Sequence, residues 1–221
     1  MRRRALLGAL SATLMTVAGC VGGRADGCSF PDWEPSESDR ADGVLGPTCP
    51  SESKTIECQE GFLDSNSYET AEPVSYPEPP QTFTDESLIE YVEAFERAYA
   101  THEIVCGYRE SSSYVTNVYA RIHRTEELDV YEERTAVFLL RSAGATAGID
   151  RDAGSWDGGA SPPSGVVYAI EDTGGDRVEF DTEQLQADEE EYRDPEEIDS
   201  DTIATRAPDP VESGEQVVRF E

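Results

Sequence analysis

Lysine is almost missing from this chain: Lys54 is the only one in 221 residues, and the other sixteen cations are arginines. A chain with no basic patch has nothing to set against phosphates, which excludes nucleic acid as a partner. Histidine is as scarce, with only His102 and His123 to serve as bases for a nucleophile. Gly154-Ser155-Trp156 lacks the spacing of a nucleophile elbow, His102-Glu103 has no second histidine in zincin register, and no P-loop or G-x-G-x-x-G occurs. No catalytic residue and no cofactor is therefore expected, and each histidine is expected to be structural or exposed. Cysteines in C-x-x-C spacing are also lacking, so no metal ligand is expected. Beyond the N-terminus no segment approaches 18 uninterrupted apolar residues, which predicts no membrane-spanning helix.

Acid is what the chain has instead. Asp and Glu number 47 against 17 Lys and Arg, for a net charge of −30. Self-repulsion on that scale destabilises a compact chain in dilute buffer. At molar salt the Debye length falls to about 3 Å and the repulsion is largely screened. Many acids, few lysines and clear strand and helix patterns together resemble the composition of a haloarchaeal protein.

The first residues have an order of their own. Arg2-Arg3-Arg4 is followed by an apolar stretch from Ala5 to Ala18, which is too short to cross a bilayer core. Charge, a short apolar core and small residues define a signal peptide. The stretch ends in Val17-Ala18-Gly19-Cys20, which resembles the lipobox of bacterial and archaeal lipoproteins. The resemblance implies cleavage before Cys20, lipid on its sulfur and an anchor at the extracellular face of the cell membrane. Two acyl chains on one residue suffice for stable anchoring. The arginine pair beside Ala5-Leu6-Leu7 also resembles a twin-arginine signal, without the usual polar residue before the pair. Without residues 1–19, 14 cations face 47 acids, a net charge of −33.

Four cysteines remain: Cys28, Cys49, Cys58 and Cys106. In an exported chain an even number reads as two disulfides, here with three connectivities. Cys49 with Cys58 closes the shortest loop and leaves Cys28 for Cys106; Cys58 with Cys106 is the alternative.

The remaining pattern divides the chain into a signal peptide (1–19), a lipid-anchored arm rich in Pro, Ser and acids (20–82), an α+β domain (83–181) and an acidic, mostly disordered tail (182–221). Phe30, Trp33 and Phe62 are sparse aromatics of the arm, and Pro73–Pro80 is an extended linker. Thr84 caps a helix over about 84–101, with Phe83 and Leu88 as a hydrophobic staple. Leu88, Val92, Phe95 and Tyr99 form its apolar stripe, while Glu90, Glu93, Glu96 and Arg97 are placed off it, with Glu93 and Arg97 paired at i,i+4. Strands are expected at 113–123, 131–142, 166–170 and 178–180, with a hairpin at Gly174-Gly175 and a short last strand at Gln216–Phe220. Asp150, Asp152 and Asp157 in a Gly-rich stretch prompt a calcium check, but the EF-hand glycine and glutamate are missing, so a hairpin loop is expected.

One amphipathic helix ahead of three or four antiparallel strands predicts a helix lying across one face of a small sheet. That order resembles the cystatin/NTF2-like shape. Tyr76-Pro-Glu-Pro-Pro80, the run Thr84–Tyr99 and the hairpin at 166–180 together resemble haloarchaeal exported lipoproteins over roughly half the chain; the resemblance implies no particular activity. Two functions fit. One is a non-enzymatic binding or structural domain on the cell surface, with a protein or small-molecule partner. The other is an NTF2-like enzyme or small-ligand-binding protein with a pocket between helix and sheet, where Asn117, Arg121 and His123 are the available polar groups.

Overall fold

The structure is a computed structural model, and it describes residues 28–29, 42–50, 52–60, 64–110, 113–131, 134–150, 154–159, 161–186 and 194–220. The signal peptide, Cys20, Phe30, Trp33, Phe62 and the acidic run Asp188–Glu191 lie outside those residues.

Thr84 opens the long helix as expected: its hydroxyl accepts from the Ser87 backbone N–H at 3.3 Å, and Ser87 Oγ accepts from the Thr84 N–H at 3.0 Å. Phe83, expected to staple to Leu88, packs on Phe220, with ring centroids 5.3 Å apart. The helix, α1, runs Asp85–Glu110, nine residues beyond the expected end at 101. It continues because Val105 goes on burying the stripe, with Ile104, Cys106 and Tyr108 packed around it. His102 is thereby an interior residue of a buried helix face, not a helix end. Arg97 pairs with Glu93 at 3.0 Å as expected.

Three short strands precede α1: β1 (Cys28–Ser29), β2 (Thr55–Glu60) and β3 (Asp64–Glu69) form a small antiparallel sheet. After α1 come β4 (Ser113–Leu128), β5 (Thr135–Asp150), β6 (Gly154–Asp157), β7 (Ser164–Glu171), β8 (Gly174–Asp181) and β9 (Glu215–Arg219). They build a six-stranded antiparallel sheet, in the order β4-β5-β7-β8-β9 with β6 paired to the far end of β5, curled into a half-barrel. Register shifts along the 16-residue β4, at 115/117, 117/118 and 122/124, bend and twist the long β4–β5 hairpin. The β7–β8 turn falls at the expected glycines. Gly174 has φ +150°, and a Cβ there would sit 2.4 Å from the Val218 carbonyl of β9, so both turn and neighbour require glycine.

The expected single helix on a three- or four-stranded sheet is therefore corrected: the molecule is mostly β, and its sheet is covered on both faces. Successive residues of β5 go opposite ways. Val137 and Leu139 join the core under α1, while Ala136, Phe138 and Leu140 join a second core with Leu185, Ile198 and Ile203. That second layer comes from the stretch expected as an acidic tail: a 3-10 turn at Thr182–Gln186, another at Pro195–Glu197, then α2 (Ser200–Arg206) and α3 (Pro210–Ser213). Its acids have structural duties, since Asp194, Asp199 and Asp209 each cap the helical turn that follows. The expected last strand is β9.

The disulfide pairing is also corrected. Cys28 bonds Cys58 and Cys49 bonds Cys106, the one connectivity the spacing did not favour. Strand register decides the first, because Cys28 stands opposite Cys58 between β1 and β2. The unexpected length of α1 decides the second, because its added turns carry Cys106 to Cys49. The proline-rich linker is likewise more than a spacer. Tyr76 stacks on His102 at 4.8 Å, meets the tilted ring of Phe95 at 5.0 Å and donates to the Pro47 carbonyl.

Candidate functional site

Glu96 is the largest departure from the helical pattern. Expected off the apolar stripe, it is fully buried, one turn on from Val92 and beneath the sheet-facing rings of Phe95 and Tyr99. Burial of a carboxylate is tolerable only with charge-assisted partners, and β5, β7 and β8 supply them. Arg177 makes a two-point contact with it, Nε to Oε2 at 2.8 Å and Nη2 to Oε1 at 2.9 Å. Arg141 Nε lies 2.6 Å from Oε1, in ion-pair contact but not aligned for a hydrogen bond. The Tyr168 hydroxyl donates to Oε2. Glu179 then bridges both guanidiniums, at 2.6 Å from Arg141 and 2.9 Å from Arg177. Tyr99 closes the cluster with its ring 4.0 Å from the Arg177 guanidinium carbon.

The titration behaviour follows from this packing. Burial alone would lower the Arg177 guanidinium, but Glu96 overrides it and holds the group well above its usual range. Burial would raise Glu179; Arg141 and Arg177 together bring it below the ordinary carboxylate value. Glu103, at the solvent edge of the cluster, is raised by burial and then by Glu179. Along the middle of α1 the space between helix and sheet is filled by Tyr76, Phe95, Tyr99, Tyr168 and these ion pairs.

The polar residues expected to line a pocket between helix and sheet lie elsewhere. Asn117 and Arg121 are exposed on β4. His123 is half-buried, with Nε2 2.8 Å from Ser142 Oγ and Nδ1 3.4 Å from Glu196, which belongs to the C-terminal layer. His102 is buried, and burial followed by the Arg109 charge lowers it to about 4. Its Nδ1 has no hydrogen-bond partner among the described residues. A ring nitrogen of His102 and the sulfurs of Cys49 and Cys106 all lie within 4.8 Å of one another. Asp150 accepts from Ser113 Oγ at 2.7 Å and ends β5, Asp157 ends β6, and the two strands pair antiparallel. Asp152 lies outside the described residues.

An open cleft of about 550 Å3 sits at the N-terminal end of α1, where the β4–β5 and β7–β8 turns meet it. Its exposed lining is mostly polar; Leu88, Leu128, Ala136 and Ile170 are buried behind it, and the half-exposed ring of Phe83 is its one large exposed apolar side chain among the described residues. Its rim is anionic: Asp85, Glu127, Asp129 and Asp172 are exposed, and Glu171 is half-buried. Desolvation, then the neighbouring Asp85 and Asp129, push the Glu127 carboxyl up. Arg134 is the single basic residue of the lining, and it is held by Glu171 at 3.3 Å and Asp176 at 3.1 Å. The arrangement suits a ligand that carries positive charge on an apolar body. Its sequence signal was present but scattered, in four acids at the strand ends and turns and the first aspartate of α1, which only the fold brings together.

No protein-family profile, no curated protein and no solved structure matches this chain.

Proposed function

We propose that this chain is an exported, lipid-anchored surface protein of a salt-adapted archaeon, held to the membrane through Cys20, and that its domain works by binding a small organic cation. The anchor rests on the order of Arg2–Arg4, the apolar core and Val17-Ala18-Gly19-Cys20. The salt adaptation rests on 47 acids against a single lysine. In the described residues, no helix is long and apolar enough to cross a membrane.

The observation that carries the binding reading is the cleft at the head of α1. Its rim carries five carboxylates, the ring of Phe83 offers an apolar contact, and Arg134, the one cation among its described lining residues, is already engaged by Glu171 and Asp176. In strong salt the rim alone gives little affinity, because charges there are screened. The Phe83 ring adds an apolar contact that salt does not screen, and the rim selects charge sign. Phenethylammonium is a suitable probe, with 2-phenylethanol as its neutral counterpart. Titration by calorimetry or NMR, at the lowest salt that keeps the chain folded, should show the cation bound more tightly than the alcohol. Glu127→Gln with Asp129→Asn should remove that preference while leaving the melting curve nearly unchanged. Equal binding of the two probes, or none of either, overturns the proposal.

A further inference from the structure

Cys106 and His102 lie one helical turn apart on α1, at i and i+4, so their side chains leave the same face. Cys49 reaches that face from the segment before β2, and the two sulfurs and a ring nitrogen of His102 lie within 4.8 Å of one another. The two cysteines are joined as a disulfide in the structure. His102 is 5% exposed, and its Nδ1 has no hydrogen-bond partner among the described residues. A buried imidazole nitrogen left unmatched is unusual, because the loss of hydration is uncompensated. Stacking on Tyr76 fixes the plane of the ring but supplies nothing to that nitrogen.

We propose that the reduced form of this cluster is a zinc site, with Cys49, Cys106 and His102 as its three protein ligands. Two thiolates and one imidazole suit Zn2+, at bonds of about 2.3 Å to sulfur and 2.0–2.1 Å to nitrogen, with a fourth position left for water. The exchange balances. A dithiol or phosphine reductant gives two electrons to the disulfide, and two protons complete the thiols. Each thiol then loses its proton to solvent as its sulfur takes the metal, so two protons leave per ion bound. Disulfide and zinc therefore exclude each other at Cys49 and Cys106, and both tie the arm to α1. The Cys28–Cys58 bond is an internal control, since it joins two neighbouring strands and belongs to no such cluster among the described residues.

The test uses the full chain, reduced with a phosphine in molar salt and titrated with Zn2+, with each cysteine's alkylation mapped by mass spectrometry. The expected result is one Zn2+ per chain, protection of Cys49 and Cys106, and continued labelling of Cys28 and Cys58. The oxidised chain should take up none, and His102→Ala should raise the zinc needed for protection at least about tenfold. Substitution of Co2+ should add sulfur-to-metal charge-transfer absorption. The proposal is overturned by a reduced chain that takes up no zinc, folded or not. Protection shared equally by all four cysteines, or unaffected by His102→Ala, overturns it as well.

Discussion

The two faces of the curled sheet are built from the same strands on opposite rules. Under α1 an aliphatic and aromatic core, with Val92, Val137, Leu139, Phe95 and Tyr168, also encloses a buried ion network of Glu96, Arg141 and Arg177. Under the C-terminal layer the core is aliphatic and aromatic, with Phe138, Leu140, Val167, Phe180, Leu185, Ile198 and Ile203. Adjacent residues carry the difference, since Leu140 enters the apolar face and Arg141 the charged one. An apolar face sets burial without demanding one partner for each group. A charged face demands that α1 and three strands meet in a single register, because any slip strands a buried charge. The hypothesis that follows is that the apolar face supplies stability and the ion network fixes where α1 sits.

The largest expected effect comes from removing the apolar layer. A chain without residues 194–220 uncovers parts of Leu128, Phe138, Leu140, Val167 and Phe180 and, with β9, also takes Val217 and Val218 from the core under α1. At about 1.5–3 kcal/mol for each large side chain, that is comparable with a whole domain's stability of about 5–15 kcal/mol. Circular dichroism melts in molar salt should show no cooperative transition. A truncated chain that melts like the full one would make those residues an accessory, as the composition of the tail had suggested.

The charged face comes next. Glu96→Ala leaves Arg141 and Arg177 buried around a void and should cost about 3–5 kcal/mol in urea unfolding. Replacing the pair, as Glu96→Leu with Arg177→Met, removes the stranded charge and should recover at least half of that loss, with Arg141 still held by Glu179. A double variant as unstable as the single one would mean that the network contributes net stability. That result would reject the division of labour between the faces.

How much of this was legible follows the same division. The cap at Thr84, the stripe, the glycine hairpin and the last strand were readable because each is local. The second layer left a signal that was passed over: Ala136–Leu140 and Val166–Ile170 are apolar without alternation, as strands buried on both faces are. The acids of 182–201 masked what covers them, since Asp194 and Asp199 are helix caps and Ile198 and Ile203 are core. Glu96 was not readable, because a lone glutamate beside an apolar stripe looks solvated until two arginines from distant strands converge on it. The His102–Cys106 spacing was visible, but only the full length of α1 makes it one turn of helix. Cys49 was readable as a disulfide cysteine, but its spacing pointed to Cys58 and not to α1.

His102 tests the helix side alone. Its ordinary value of 6.5 falls to about 4 through burial and then Arg109. Between those values the unfolded chain takes a proton that the folded chain refuses, so stability is lost as pH falls through that window. The shift corresponds to about 3 kcal/mol at most, fully developed below pH 4. His102→Phe should flatten the pH dependence of the urea midpoint from 6.5 to 4 relative to the parent chain. Equal slopes would place the ring in contact with water.

The smallest effect belongs to Glu103, where the buried network meets solvent. Burial and then the Glu179 carboxylate raise it, so the folded state holds this proton to higher pH than the unfolded state does. Ionisation above that raised value therefore costs stability, and below the ordinary carboxylate range the cost is absent because both states are protonated. Its side chain is 53% exposed, which leaves only a few tenths of a kcal/mol after solvent screening. Glu103→Gln should raise the melting temperature slightly at pH 7 and not at all near pH 3. Because burial outweighs the Glu179 repulsion, molar salt should trim the gain without abolishing it. A gain that vanishes in salt would make repulsion the main cause, and the edge of the network would then behave like the rest of this acidic surface.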